Sequence, residues 1–264
     1  MKIYIQKVTG MDIHYDNVSK ELILNEKPLG RSTRILKDMK DVIKDQEWLK
    51  TVKPERKMYY MFRNIYEDAD KTIIEDNNLR YDITIIPPDM MGDEYIKTQG
   101  HCHPCVSGTD VTYPEMYQVL NGQAIFMFEK KEGKQTKTYH IHGKEGDIVI
   151  LPPGCSHVTI SPTDQILILA NWVETNFKSD YKPLLKAKGL AYYYIKKDNE
   201  NEFIKNLAAG KEASELEELM PIDPELIGLK KDEPMYSLIK TPERLAFLTR
   251  PQDYGTFFSK VIEQ

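Results

Sequence analysis

Between residues 58 and 173 short apolar runs alternate with turn-forming Gly, Pro, Asn and Asp, a rhythm that belongs to strands rather than helices. The predicted strands are MYYMFRNIY (58–66), RYDITIIP (80–87), DEYIKT (93–98), EMYQVLNG (115–122), QAIFMFEK (123–130), KTYHIHG (137–143), DIVILP (147–152), HVTI (157–160) and QILILANWV (165–173). Many short strands at such close spacing predict a sandwich or a barrel. Before them, IYIQKV (3–8) reads as a strand, and Leu22, Leu24 and Leu29 anchor a hairpin around Asn25-Glu26. Ile35, Met39 and Ile43 recur at helical spacing in RILKDMKDVI (34–43), which Ser32 or Thr33 could cap.

The tail changes character. From Asn199 to Met220, Phe203, Ile204, Leu207, Leu216 and Leu219 lie among many Lys and Glu residues, predicting one or two amphipathic helices with Gly210 as a break. An extended segment, 221–234, follows, and PERLAFL predicts a helix starting at Pro242. The organisation expected is N-terminal elements over 1–80 packing on a barrel over 81–197, then a helical extension over 198–264 that packs on the barrel or on a partner subunit. The extension has no His, Cys or phosphate loop, so no separate activity is assigned to it.

Chemistry concentrates at four residues. His101 and His103 are two apart, so on an extended chain they project from one face, where both can reach one ion. Glu115 and Tyr117 share a face by the same parity. The run Gly146, Asp147 to Leu151, Pro152, Gly154, His157 reads as turn, buried strand, turn and a third histidine just beyond the strand end, where a barrel mouth lies. Three imidazoles and a carboxylate suit Fe(II), Mn(II), Ni(II) or Zn(II) with positions left free for substrate.

Ten positions in register, Thr84, Pro88, Gly92, Glu94, Thr98, Gly100, His101, His103, Glu115 and Tyr117, followed by Gly122, Pro-x-Gly and His157, resemble the cupin-type glucose-6-phosphate isomerases of archaea and some bacteria. The eleven-residue spacer Pro104 to Pro114, long for most cupins, is tolerated in that branch. At lower specificity the likeness runs from about Thr33 to about Lys197. It implies a mainly β fold, a cupin double-stranded β-helix or jelly-roll barrel, with strand and helix elements before it and the helical extension after it. It also implies one divalent metal per subunit on His101, His103, Glu115 and His157, with Fe(II) first and Mn(II), Ni(II) or Zn(II) as alternatives. Glu115 and Tyr117 carry over as catalytic residues, and Thr84, Thr98, Gly100 and Tyr181 as contacts to a sugar phosphate. Two departures stand out: Ser161 replaces the Asn that ends the second cupin element, and Ser179 replaces a histidine near Tyr181, which puts the C-terminal side of the phosphate site in question. Lys97 is a candidate supplementary charge. A homodimer is the expectation for a small cupin.

Composition narrows the setting. The 264 residues, 41% apolar and 29% charged, can bury one substantial core, or one core and a small appendage. A net charge of −5 argues against nucleic-acid binding. No apolar run approaches a membrane span, and MKIYIQKVTGMDIHYD does not read as a signal peptide, so a cytoplasmic protein is expected. The three cysteines, Cys102, Cys105 and Cys155, make half a zinc-ribbon pair at most, and Cys102 should face away from the histidines. His140 and His142 form a second His-x-His with no carboxylate at cupin spacing, and are expected to be surface residues, as is His14. The readings to be separated are a metal-dependent glucose-6-phosphate isomerase, another cupin enzyme acting on a different phosphosugar or as a dioxygenase, and a non-catalytic sugar-phosphate binder.

Overall fold

The computed structural model describes residues 1–132, 135–209 and 215–263. The chain opens with β1 (Lys2–Tyr4), the helical turn α1 (Gln6–Thr9), and a meander of β2 (Ile13–Asp16), β3 (Glu21–Leu24) and β4 (Lys27–Pro28). The strand expected over 3–8 therefore stops at Tyr4. The hairpin around Asn25-Glu26 is present, with both residues at positive φ (48° and 63°), as a two-residue turn between twisted strands requires.

Next come β5 (Ser32–Ile35), α2 (Leu36–Met39), α3 (Gln46–Thr51), β6 (Lys57–Phe62), α4 (Lys71–Asp76) and β7 (Leu79–Ile86). The helix expected over 34–43 is corrected: Ser32 to Ile35 pair with β6 as an edge strand, so the helix starts only at Leu36 and Ser32 and Thr33 cap nothing. Strand pairing with β6 outweighs the helical spacing of Ile35 and Met39, and the helix that follows runs on as a 3₁₀ turn to Val42.

Then come β8 (Met90–Met91) and β9 (Glu94–Tyr95), which pair with a later hairpin in a small sheet of their own, and the barrel strands β10 (His101–Cys102), β11 (Glu115–Asn121), β12 (Gln123–Glu132), β13 (Gln135–Lys144), β14 (Ile148–Leu151), β15 (Cys155–Ile160) and β16 (Leu167–Glu174). One sheet has the order β14-β11-β16-β7-β6-β5. The facing sheet is β10-β15-β12-β13, with β19 (Leu216–Leu219) added along β13. From β10 to β16 the chain crosses repeatedly between the sheets, which is the jelly-roll winding of a cupin barrel. Between the sheets lie Tyr59, Val119, Phe126, Phe128, Tyr139, Ile141, Val149 and Leu169. The outer face of the first sheet is also buried, which is why DIVIL and QILILANWV read as near-continuous apolar runs.

That outer face, with Tyr81, Ile83, Met116 and Trp172, is covered by Ile13, Tyr15 and Leu22 of the N-terminal sheet and by Met235, Leu238, Ile239, Phe247, Leu248 and Phe258 of the tail. Trp172 Nε1 donates to the Met235 carbonyl at 3.2 Å, and Met235 N donates to Gln118 Oε1 at 3.1 Å. After α5 (Lys182–Lys186), the chain forms the hairpin β17 (Tyr192–Lys197) and β18 (Glu200–Lys205). The helices expected between 199 and 220 are thus corrected to the strands β18 and β19 around a 3₁₀ turn at Leu207–Ala209. Gly210, the expected break, lies outside the described residues. Beyond β19, helix is confined to short 3₁₀ turns, α6 (Ala246–Thr249) and α7 (Gly255–Glu263); 224–227, within the segment expected to be extended, and 242–245 are two of those turns. No helix among the described residues is long and apolar enough to cross a membrane. Leu248 is 0% exposed, so Leu248→Ala is expected to cost about 2–5 kcal/mol by lost burial and an unfilled cavity. Denaturant unfolding checks this, and an unchanged midpoint would mean that the tail does not share the core.

Candidate metal centre

The two sheets converge at the barrel mouth, and each supplies ligand-type side chains. His101 opens β10 and stands opposite His157 of β15 in an antiparallel pair; His103 lies just past β10; Glu115 opens β11 in the facing sheet. His101 Nε2 and His103 Nε2 are 3.0 Å apart, and Glu115 Oε2 lies 3.3 Å from both His103 Nε2 and His157 Nε2 and 3.9 Å from His101 Nε2. Bonds of about 2.0–2.2 Å to one ion put neighbouring donors about 3 Å apart, so this spacing fits a single divalent cation. Glu115 Oε2 is buried with no aligned hydrogen-bond partner, and a buried carboxylate oxygen in that state calls for a cation.

Protonation suits the same role. Burial, then the neighbouring histidines, push His101 well below the usual imidazole pKa, and burial lowers His157 despite Glu115. Burial opposes the charge on Glu115, yet the imidazoles of His103 and His157 outweigh it and hold its carboxyl well below the ordinary range. Neutral imidazole lone pairs and an ionised carboxylate are the forms that bind a metal.

The long spacer before Glu115 orients His103. His103 Nδ1 lies 2.9 Å from the Tyr113 carbonyl, which can only accept, so the proton sits on Nδ1 and Nε2 turns its lone pair to the cluster. The Tyr113 ring stacks on Phe177 at 4.8 Å, and Phe177 lies 4.5 Å from the His103 ring. Gly154 N donates to Thr112 Oγ1 at 2.6 Å, stitching the spacer to the turn that precedes β15.

The cluster opens into a narrow pocket of about 70 Å³. Thr84, Thr98, Tyr117 and Tyr181 line it together with His101, His103 and Glu115. Tyr117 Oη is 3.5 Å from His157 Nε2, and burial, followed by Glu115, raises its pKa well above the usual value, so it stays a hydroxyl donor. Thr98 Oγ1 accepts from Thr159 N at 2.9 Å, while Arg34 donates to Tyr181 Oη at 3.2 Å. Gly100 is not among the lining residues. Its φ is 76°, and an added Cβ would meet Leu184 and Val158 at 2.5 Å, so packing demands glycine there.

Lys97 does not supply charge to the cavity, because it is buried against Glu94 in an ion pair and under the Tyr193 ring. Arg63 and Arg80, which the sequence reading missed, line the cavity instead. Both are held by Asp82, 2% exposed: Arg63 Nη1 donates at 2.8 Å and Arg80 Nε at 2.9 Å. The signal available was parity, since Arg80, Asp82 and Thr84 share one face of β7. Cys102 contacts Ser156 Oγ at 3.0 Å and packs outside the barrel. The clusters of potential ligands among the described residues contain no cysteine.

The family described as glucose-6-phosphate isomerase (GPI) matches residues 33–208, two thirds of the chain. The glucose-6-phosphate isomerase of Thermococcus litoralis is 27% identical over 152 residues, covering 57% of this chain and 73% of that protein. The Pyrococcus abyssi enzyme of the same name is 25% identical over 174 residues, covering 66% and 85%. Among solved structures, an oxalate oxidase overlaps loosely, with a TM-score of 0.36 and 13% identity over 48% of this chain and 56% of its own. On the match across residues 33–208, the chain belongs to the glucose-6-phosphate isomerase family, a family of aldose–ketose isomerases.

Proposed function

We propose that this chain interconverts glucose 6-phosphate and fructose 6-phosphate with one divalent ion held by His101, His103, Glu115 and His157. The observation that carries the reading is the convergence of three imidazole nitrogens on the buried Glu115 oxygen, which has no aligned hydrogen bond, beside the pocket, in a chain of this family. When bound, such an ion supplies Lewis-acid polarisation of the sugar's carbonyl and neighbouring hydroxyl. Fe(II), Mn(II), Ni(II) and Zn(II) all suit the donor set.

The side chains divide the remaining work. Isomerisation moves a hydrogen between C1 and C2. As a base, Glu115 takes the C2 proton of the aldose as O1 is protonated, and returns it to C1 as O2 gives up its proton to leave the ketone; if the hydrogen travels directly between the carbons, Glu115 serves only to hold and orient while the hydroxyl proton passes from O2 to O1. Tyr117, kept protonated beside Glu115 and His157, hydrogen-bonds a sugar oxygen. Thr84, Thr98 and Tyr181 bind the phosphate, and Arg63 and Arg80 add the positive charge that Lys97 does not bring to the cavity. Gly100 serves by letting the chain pass close against Val158 and Leu184.

The test is conversion of fructose 6-phosphate to glucose 6-phosphate in a coupled assay on EDTA-stripped protein, with and without each ion. Turnover restored by metal is expected, and the ranking of ions identifies the cofactor. Metal-loaded protein without turnover would overturn the reading in favour of another phosphosugar or a binding role, and oxygen uptake would point to a dioxygenase.

A further inference from the structure

A second set of ligand-type side chains lies on the other face of the sheet. On β13, Tyr139 and Ile141 point into the barrel, so His140 and His142 point outward by strand parity. β19 runs parallel to β13 with Glu218 in register with His140, and one ligand atom from each of His140, His142 and Glu218 lies within 4.8 Å of the others. This is the carboxylate that the sequence reading did not find, because it comes from a strand in the tail.

His140 is not the surface histidine expected of it. It is 8% exposed and packs against Phe203 at 4.6 Å, and its Nδ1 is buried with no hydrogen-bond partner. A buried, unpartnered imidazole nitrogen is costly unless a ligand uses it. His142 and Glu218 are exposed, so both can turn to close on an ion beside the fixed His140.

We propose that His140, His142 and Glu218 bind a second divalent ion of the zinc class, separate from the centre in the barrel. Two imidazoles and one carboxylate are a common zinc donor set and leave a position for water. The ion ties β19, a four-residue edge strand, to β13. Its role is structural, fastening the chain that follows β18 back onto the barrel.

The test is the zinc content of metal-stripped protein after reloading with excess Zn²⁺ and dialysis. H142Q and E218Q, neutral changes at exposed positions, are each expected to retain one equivalent per chain fewer than the unaltered protein. His103→Ala is expected to lose a different equivalent, so the double variant H103A/H142Q loses both. Amide hydrogen exchange over Leu216–Leu219 should slow on zinc addition in the unaltered protein and not in H142Q. Equal zinc content in the unaltered protein, H142Q and E218Q would overturn the proposal whatever the barrel site does, and so would exchange in β19 that ignores zinc.

Discussion

His103→Ala is expected to remove bound metal and isomerase turnover together. His103 lies at the centre of the cluster: its Nε2 is 3.0 Å from His101 Nε2 and 3.3 Å from Glu115 Oε2, and its tautomer is set by the Tyr113 carbonyl. Loss of an outer partner of a metal ligand typically costs 10–100-fold in metal affinity, and loss of the ligand itself should exceed about 100-fold. Elemental analysis after dialysis and the coupled assay measure the two quantities, and His157→Ala should behave alike. Equal metal content with full turnover in either variant would remove that histidine from the site. Glu115→Gln then separates roles, because the amide keeps an oxygen donor but cannot take a proton. Metal retained with turnover lost would assign Glu115 to proton transfer or substrate orientation.

How far this site could be read in advance depends on how local each rule is. Strand parity is local, so the shared direction of His101 and His103, and of Glu115 and Tyr117, follows from spacing alone. Which strands lie side by side is not local. Arg63 reaches Asp82 because β7 lies next to β6 in the sheet, and no run of residues around Arg63 announces that neighbour, whereas Arg80 and Asp82 share a face of β7 by parity. Lys97 illustrates the converse: its position in a signature rich in cavity residues suggested a substrate contact, but a carboxylate three residues away, Glu94, binds it inside the protein.

The tail failed for a related reason. The apolar spacing over 199–220 fits a helix, yet Glu200 to Lys205 pair along β17. The turn that sends them back is Asp198-Asn199, with φ of 49° and 68°, a hairpin signal present in the sequence and passed over in favour of helical periodicity. β19 carried no such signal, since its partner β13 lies more than seventy residues earlier. The longer barrel strands, by contrast, are closely spaced and punctuated by turn residues, so their places and order were legible, whereas the two-residue strands β8 and β10 offered no run long enough to read; the family pattern supplied the winding that spacing alone leaves open.

Arg80→Ala is expected to lower kcat/KM for the phosphorylated sugar roughly 10- to 150-fold, chiefly through KM, while metal content stays unchanged. The magnitude is that of one hydrogen bond to a charged group, about 1.5–3 kcal/mol. Asp82 keeps Arg63 at 2.8 Å and the Asn64 N–H at 2.9 Å in the variant, so the buried carboxylate is not stranded and the sheet should hold. The informative comparison is with unphosphorylated fructose. If Arg80 recognises the phosphate, turnover of fructose, however slow, is the same in the variant and in the unaltered protein, because the lost interaction was never made. An equal fall for both substrates would mean that Arg80 acts by shaping the cavity wall through Asp82 and not by binding the anion. Thr98→Val gives the matching measurement on the opposite wall. A KM effect in both variants places the phosphate between Thr98 and Arg80, whereas an effect in Thr98→Val alone leaves it with the hydroxyl and backbone donors and removes the arginines from the phosphate site.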